Sequence, residues 1–260
     1  MGAEGNHEGG QGFEHYANRF AYFAGDNTSG MTQAMSGLTA THWNNHYYSF
    51  SIGNVHIAVM STEAYFFYAG AKEQYAWLEA DLAAVDRAAF PWLIVFGHRS
   101  IYCSCDSDCD SAATAVREGA YGMEELFMKY GVDLFVNGHE HDFERNGPTY
   151  KHTLVTPSSS GAPGGNADAP QVYVDPKAPF YIVEGCAGDK ENHEPFTRAQ
   201  PAYSAFRSNT YGYSRMTIYN ATHALWEQVQ TDSGQPKTTG TVIDAMLVVQ
   251  HNHGPFPTIY

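Results

Sequence analysis

Residues 137–145 read Asn-Gly-His-Glu-His-Asp-Phe-Glu-Arg and follow directly on the apolar run 132–136. If the chain stays extended here, residues two apart project to the same side, so His139 and His141 face one small volume with Glu140 turned away. A second apolar run, Trp92-Leu93-Ile94-Val95-Phe96, ends in Gly97-His98, and Gly5-Asn6-His7-Glu8 opens the chain with another pair of ligand-type residues. Neutral imidazole suits zinc, iron and manganese, and an amide oxygen adds a hard donor without charge. Any one histidine at a strand end is more often structural, and this chain has 13. Two Gly-His steps after buried-type strands, with an Asn-His step beside a glycine, favour a shared metal site. Sheets of α/β proteins place their ligands at the carboxyl ends of strands.

The elements that must position these residues are visible as periodicities. Strands are expected near 46–51 and 55–60, then a helix from Glu73 to Arg87 with Tyr75, Leu78, Leu82 and Val85 on one face. Trp92–Phe96 forms the next strand, Glu118–Tyr130 a second helix ended by Gly131, and Val132–Val136 a further strand. This βαβ alternation predicts that His98 and His139 sit at neighbouring strand ends. Residues 157–179 turn to Ser, Gly and Pro and read as a long surface loop. The runs 180–184, 213–219, 223–230 and 241–250 read as antiparallel strands.

At 260 residues with 43% hydrophobic content the chain is expected to form one domain over residues 1–260. Its 28 acidic against 14 basic residues, net charge −14, argue against nucleic acid or an anionic membrane as partner. No apolar run reaches the length of a membrane-spanning helix, and the first four residues begin no signal peptide. Self-association is left open, a homo-oligomer being one arrangement the sequence allows. Of the four cysteines, Cys103, Cys105 and Cys109 lie in one short stretch. Their spacing fits no common zinc motif, so a local disulfide is the better reading, with Cys186 a further candidate partner. Asn27 and Asn220 each head a glycosylation sequon. His193, His251 and His253 read as loop and tail residues, and Glu144 with Arg145 as a buttress for the histidine loop.

The Gly-Asn-His-Glu, Gly-His and Gly-His-Glu-His segments resemble the third, fourth and fifth motifs of the purple acid phosphatases, a branch of the calcineurin-like metallophosphoesterases. The resemblance extends through Trp43, Tyr48-Ser49-Phe50, Arg99 to Tyr102, Tyr203 to Arg207 and Tyr211-Gly212-Tyr213, and runs to about residue 250. It implies an α/β fold of the metallophosphoesterase type: a two-sheet β-sandwich flanked by helices, here lacking the N-terminal βαβ portion. It implies a binuclear centre of Fe(III) with Zn, Mn or Fe(II), in which Asn6, His98 and His139 bind the divalent ion and His141 the ferric one. His7 would contact substrate phosphate or protonate the leaving alkoxide. Such a centre lowers the pKa of water, so that hydroxide attacks phosphorus in line with the departing alcohol of a phosphate ester substrate.

Two earlier family motifs, an Asp and a Gly-Asp-x-x-Tyr segment that supply the bridging carboxylate and the tyrosinate, have no counterpart. Few residues precede Asn6, and Gly25-Asp26 lacks the tyrosine. The chain therefore corresponds to the C-terminal part of the catalytic domain. Plant-type members carry a His pair where Ser107 and Asp108 stand here, leaving Arg99 as the candidate substrate contact. The leading expectation is an acid phosphatase in the secretory pathway, extracellular or vacuolar. The competing one is a non-catalytic extracellular structural or interaction protein on the same scaffold. Related centres also cleave phosphodiesters and nucleotide pyrophosphates.

Overall fold

The computed structural model describes residues 2–19, 46–67, 69–106, 108–155, 158–166, 168–188, 190–231 and 240–257. A 3-10 helix, Asn6–Phe13, leads into the short helix α1, Glu14–Arg19. Strands β1 (Tyr48–Ile52) and β2 (Val55–Val59) form a hairpin whose turn holds Gly53 at φ +55°. Helix α2 spans Ala71–Ala84, and β3 Trp92–Phe96. Helices α3 (Asp108–Arg117) and α4 (Met123–Tyr130) precede β4 (Leu134–Asn137) and β5 (Phe143–Asn146). The two-residue strands β6 (Thr149–Tyr150) and β7 (Thr153–Leu154) make a ribbon. Strands β8 (Ser158–Ser160), β9 (Gln171–Val174), β10 (Phe180–Glu184), β11 (Ser204–Ser208), β12 (Gly212–Ile218), β13 (His223–Gln230) and β14 (Thr241–Val249) follow.

These strands form a seven-stranded sheet, ordered β1-β2-β3-β4-β10-β5-β11, and a five-stranded sheet, ordered β12-β13-β14-β9-β8. Strands β2, β3, β4 and β10 run parallel at the centre of the first. Alternation along the strands explains the layering, since successive side chains point to opposite faces. Leu93, Val95 and Phe135 pack on Leu78 and Leu82 of α2 and on Leu126 and Phe127 of α4. Trp92, Ile94, Leu134 and Val136 face the other way and pack on Trp226, Met246 and Val248 of the second sheet. Both faces of β3 and β4 are thus covered, as expected for continuous apolar runs in parallel strands. The result is a helix-flanked two-sheet sandwich.

Several elements differ from the sequence expectation. Helix α4 begins at Met123 and not Glu118, because Gly119 takes φ +91° and Gly122 sits extended at the N-cap. A Cβ at Gly122 would lie 2.4 Å from the Arg117 carbonyl, so the chain turns there on a residue without one. Helix α2 stops at Ala84, where Val85 turns extended. The Ser/Gly/Pro stretch is not wholly loop, since Ser158–Ser160 pairs with Gln171–Val174 and β9 runs parallel to β14. Phe180–Glu184 joins the first sheet and not the second, antiparallel to β5 as expected but parallel to β4. Among the described residues no helix is long and apolar enough to cross a membrane. Asn27 lies outside the described residues.

Candidate metal centre

His98 leaves β3 through Gly97, and His139 leaves β4 through Asn137-Gly138. Two backbone bonds tie these exits together: Gly97 N–H donates to the Val136 carbonyl at 3.1 Å, and Gly138 N–H to the His98 carbonyl at 3.0 Å. Adjacent parallel strands therefore deliver the two histidines to one place. Asn6 arrives from the chain start. There Glu4, fully buried, accepts from His46 Nδ1 and Ser61 Oγ and anchors the segment under the sheet. Glu8 reaches back to the Gly5 N–H at 2.7 Å while its own N–H donates to the Gly5 carbonyl at 3.1 Å. The carboxylate bond is the Glu half of a capping box and the backbone bond is the first of the 3-10 helix, and together they set the direction in which Asn6 leaves.

The histidine loop is not extended. His139 has φ +73°, and Glu140 N–H donates to the Gly138 carbonyl at 3.0 Å, which makes His139 the centre of a γ-turn of the uncommon, strained hand. The orientation of His139 thus comes from the turn and not from strand periodicity. His141 is held through its backbone: its N–H donates to Glu194 Oε2 at 2.9 Å, and its carbonyl faces His193 Nδ1 at 3.0 Å. His193, expected as a solvated loop residue, instead packs on Tyr211 with ring centroids 4.1 Å apart and frames the site.

Three donor atoms converge. His98 Nε2 is 2.9 Å from Asn6 Oδ1 and 3.2 Å from His139 Nδ1. Tetrahedral ligands held at about 2.0–2.1 Å from one zinc-type ion lie about 3.3 Å apart, so the set suits a single cation. Arg99 Nη1 lies 3.3 Å from His139 Nε2, on the far side of that ring from His98. A cation between the three atoms would take one lone pair from each.

The electrostatics agree. Burial pushes the pKa of His98 down to about 3, with the charges of His139, Arg99, His7 and His141 adding to the effect. Burial likewise lowers His139 to about 4, aided by Arg99, His141 and His7. Both rings are therefore neutral at ordinary pH, the form a metal requires. The imidazole of His7 is mostly exposed, its Nε2 3.5 Å from Glu191 Oε2. It contributes charge to the site without joining the three-atom set.

Arg99 is pinned by Glu63, whose Oε1 and Oε2 accept from Nε at 2.9 and 3.1 Å, and its guanidinium lies over Phe66 at 4.4 Å. Arg145 reaches through the sandwich to Asp244 and not to the histidine loop, at 2.5 and 2.9 Å. Glu144 accepts from Ser104 and lies 3.7 Å from Arg207 Nε. These two residues brace strands and sheets, with the loop supported only through β5. Cys103 and Cys109 form a disulfide. Cys186 is a buried free thiol that donates to Glu184 Oε1 at 3.5 Å, accepts from Gln228 Nε2 at 3.1 Å and forms no disulfide. His253 packs edge-on against Trp92 and contacts the Ala221 carbonyl at 2.7 Å, and His251 meets Asp175 at 3.1 Å, so neither is a loose tail residue.

Sequence reasoning missed Glu4, Glu63, Glu194 and the fit of two glycines. A Cβ at Gly5 would fall 2.7–2.9 Å from three ring atoms of His98, and one at Gly185 1.8 Å from the Glu140 carbonyl. Gly5 stood beside the Asn-His step, so its proximity was readable, though not its reason. Nothing local marks the acidic residues.

The family model for calcineurin-like phosphoesterase matches residues 1–143, and that for iron/zinc purple acid phosphatase-like protein C matches residues 178–245. The chain belongs to the calcineurin-like phosphoesterases and, within them, to the purple acid phosphatase branch. It is 39% identical to acid phosphatase type 7 of Danio rerio over 98% of its own length and 54% of that protein's. It is 31% identical to purple acid phosphatase 15 of Arabidopsis thaliana, over 87% and 42%. The chain thus spans about half the length of the curated relatives it matches. A purple acid phosphatase from yellow lupin seeds shares the fold, with TM-score 0.61 and 24% identity over 84% of this chain and 35% of that one.

Proposed function

We propose that this chain supplies the histidine side of a binuclear metal centre that hydrolyses phosphate monoesters. The observation that carries the reading is the convergence of Asn6 Oδ1, His98 Nε2 and His139 Nδ1, with His98 Nε2 2.9 and 3.2 Å from the other two. These three would hold the divalent ion, and His141 would serve the ferric one. When bound, such a pair of ions neutralises phosphate oxygens and lowers the pKa of water. The reading requires that the carboxylate and tyrosinate ligands come from outside these 260 residues.

The chain's own side chains then have separable tasks. Ligation through His139 Nδ1 leaves the His139 proton on Nε2, so Arg99 loses its acceptor there and is free to turn one nitrogen to a substrate phosphate. Glu63 holds the guanidinium in place. His7, exposed and next to Glu191, is positioned to carry the proton delivered to the leaving alkoxide. The relatives' names support the acid phosphatase class, although a barley relative, 29% identical, is named nucleotide pyrophosphatase/phosphodiesterase. A secreted or vacuolar setting accords with the disulfide and with Asn220, exposed between β12 and β13 as a glycosylation acceptor. The net charge of −14 disfavours nucleic acid and anionic membranes as partners.

A second reading, a non-catalytic scaffold or interaction protein, is favoured by one observation: among the proposed ligands of this chain, His141 alone serves the second ion. Aryl phosphate hydrolysis in the acid range by natively isolated protein, with metal counted in the same sample, separates the two. About two ions per chain, with turnover reduced about 100-fold or more by His98→Ala, support the enzyme. No bound ion and no turnover would establish the scaffold.

A further inference from the structure

Beyond the histidine centre, one buried cluster combines soft donors with unmatched acid. Cys103, Cys105, Cys109 and Glu140 are all buried, and one donor atom from each lies within 4.8 Å of the others. Cys105 Sγ is 3.5 Å from Cys109 Sγ and 3.2 Å from Glu140 Oε2, and Cys103 Sγ is 3.6 Å from Glu140 Oε1. Around a tetrahedral zinc ion, with bonds of about 2.3 Å to sulfur and 2.0 Å to oxygen, sulfurs lie about 3.8 Å apart and sulfur and oxygen about 3.5 Å. The Cys105–Cys109 and Cys105–Oε2 separations are close to that pattern, with Cys103 on the other Glu140 oxygen. The Cys103–Cys109 bond departs from it.

The surroundings favour a cation as well. Asp142 is 1% exposed, and apart from the Cys105 thiol no donor faces its carboxylate oxygens among the described residues. Glu144, buried beside it, has one unmatched oxygen and a single ion pair, to Arg207. Buried carboxylates next to thiols are costly unless a cation or protons compensate them. A cavity of about 350 Å³, lined by Cys103, Cys109, Arg117, His152 and Arg198 among others, gives access to the disulfide.

We propose that Cys103, Cys105, Cys109 and Glu140 form a second metal site, which takes a zinc-type ion when the Cys103–Cys109 disulfide is open. A dithiol reductant opens it: two electrons and two protons pass to Cys103 and Cys109, and the reductant leaves as its own disulfide. The ion then displaces the three thiol protons to solvent, and with them the proton that burial holds on the Glu140 carboxyl, so that Glu140 enters as a carboxylate. Disulfide and metal are alternative states of one cluster, chosen by the redox compartment. Glu140 stands between His139 and His141, so the ion would also clamp the loop of the first centre.

The test is cobalt(II) titration of the full chain, reduced with a dithiol under anaerobic conditions. Intense sulfur-to-cobalt absorption saturating at one equivalent, absent from the oxidised chain and lost in Cys105→Ser, supports the site. Weak nitrogen- and oxygen-type cobalt absorption from the histidine centre reports that the variant is folded. Should the variant not fold, alkylation mapping of the reduced parent with and without zinc decides. Protection of Cys103, Cys105 and Cys109 by about tenfold or more supports the proposal. Equal alkylation rates, sulfur absorption that persists in Cys105→Ser, or a disulfide that stays closed under strong dithiol would overturn it.

Discussion

At the scale of single residues, the centre depends on what is missing as much as on what is present. Gly5 leaves room for the His98 ring. Gly5→Ala should therefore displace that ring rather than the backbone, since the ring is the free end of a side chain. We expect zinc affinity to fall about 10- to 100-fold with little change in thermal stability, read by metal titration and a melting curve on the same sample. Glu184 gives a pH signature. Burial raises its carboxyl above the ordinary 4.5, although Ser214, Cys186 and Gln228 hydrogen-bond to it. The folded state therefore holds this proton at pH values where the unfolded chain has lost it, and stability falls as pH rises from 4.5 through the folded pKa. Glu184→Gln has no such loss. The difference in unfolding free energy between variant and parent should shift toward the variant as pH rises, and a constant difference across pH 4 to 8 would contradict the assignment.

At the scale of elements, the parallel core was readable and the connections were not. Trp92–Phe96 and Leu134–Asn137 announced themselves because strands covered on both faces need apolar residues at every position. Ser158–Ser160 could not, because it joins the sheet through backbone pairing to β9 and carries no apolar alternation. The γ-turn at His139 was equally hidden: its positive φ sits on a residue other than glycine, and no glycine at that position signals the turn. Convergence of the site was legible because it follows from strand order, whereas Glu4 and Glu63 act through distant contacts that no local pattern encodes. The two sheets are also pinned by Arg145 and Asp244, both fully buried. Asp244→Ala would leave the guanidinium charged and unpaired in the core. We expect a loss of about 3–5 kcal/mol, measured as a lowered urea midpoint with unchanged slope.

At the scale of the whole molecule, a chain of net charge −14 holds two clusters of metal-type donors, a half-buried one of imidazole and amide and a buried one of sulfur and carboxylate. Phosphate approaches such a surface against its field, so local positive charge at the centre must overcome the global repulsion. Asn6, His98 and His139 come from three separated segments, and the sheet brings them together before any ion is present. The most direct measurement is anomalous diffraction from zinc-loaded crystals of the chain. The account predicts an ion about 2.0–2.2 Å from Asn6 Oδ1, His98 Nε2 and His139 Nδ1 together. A crystal in which zinc binds elsewhere while these three atoms remain bare would contradict it.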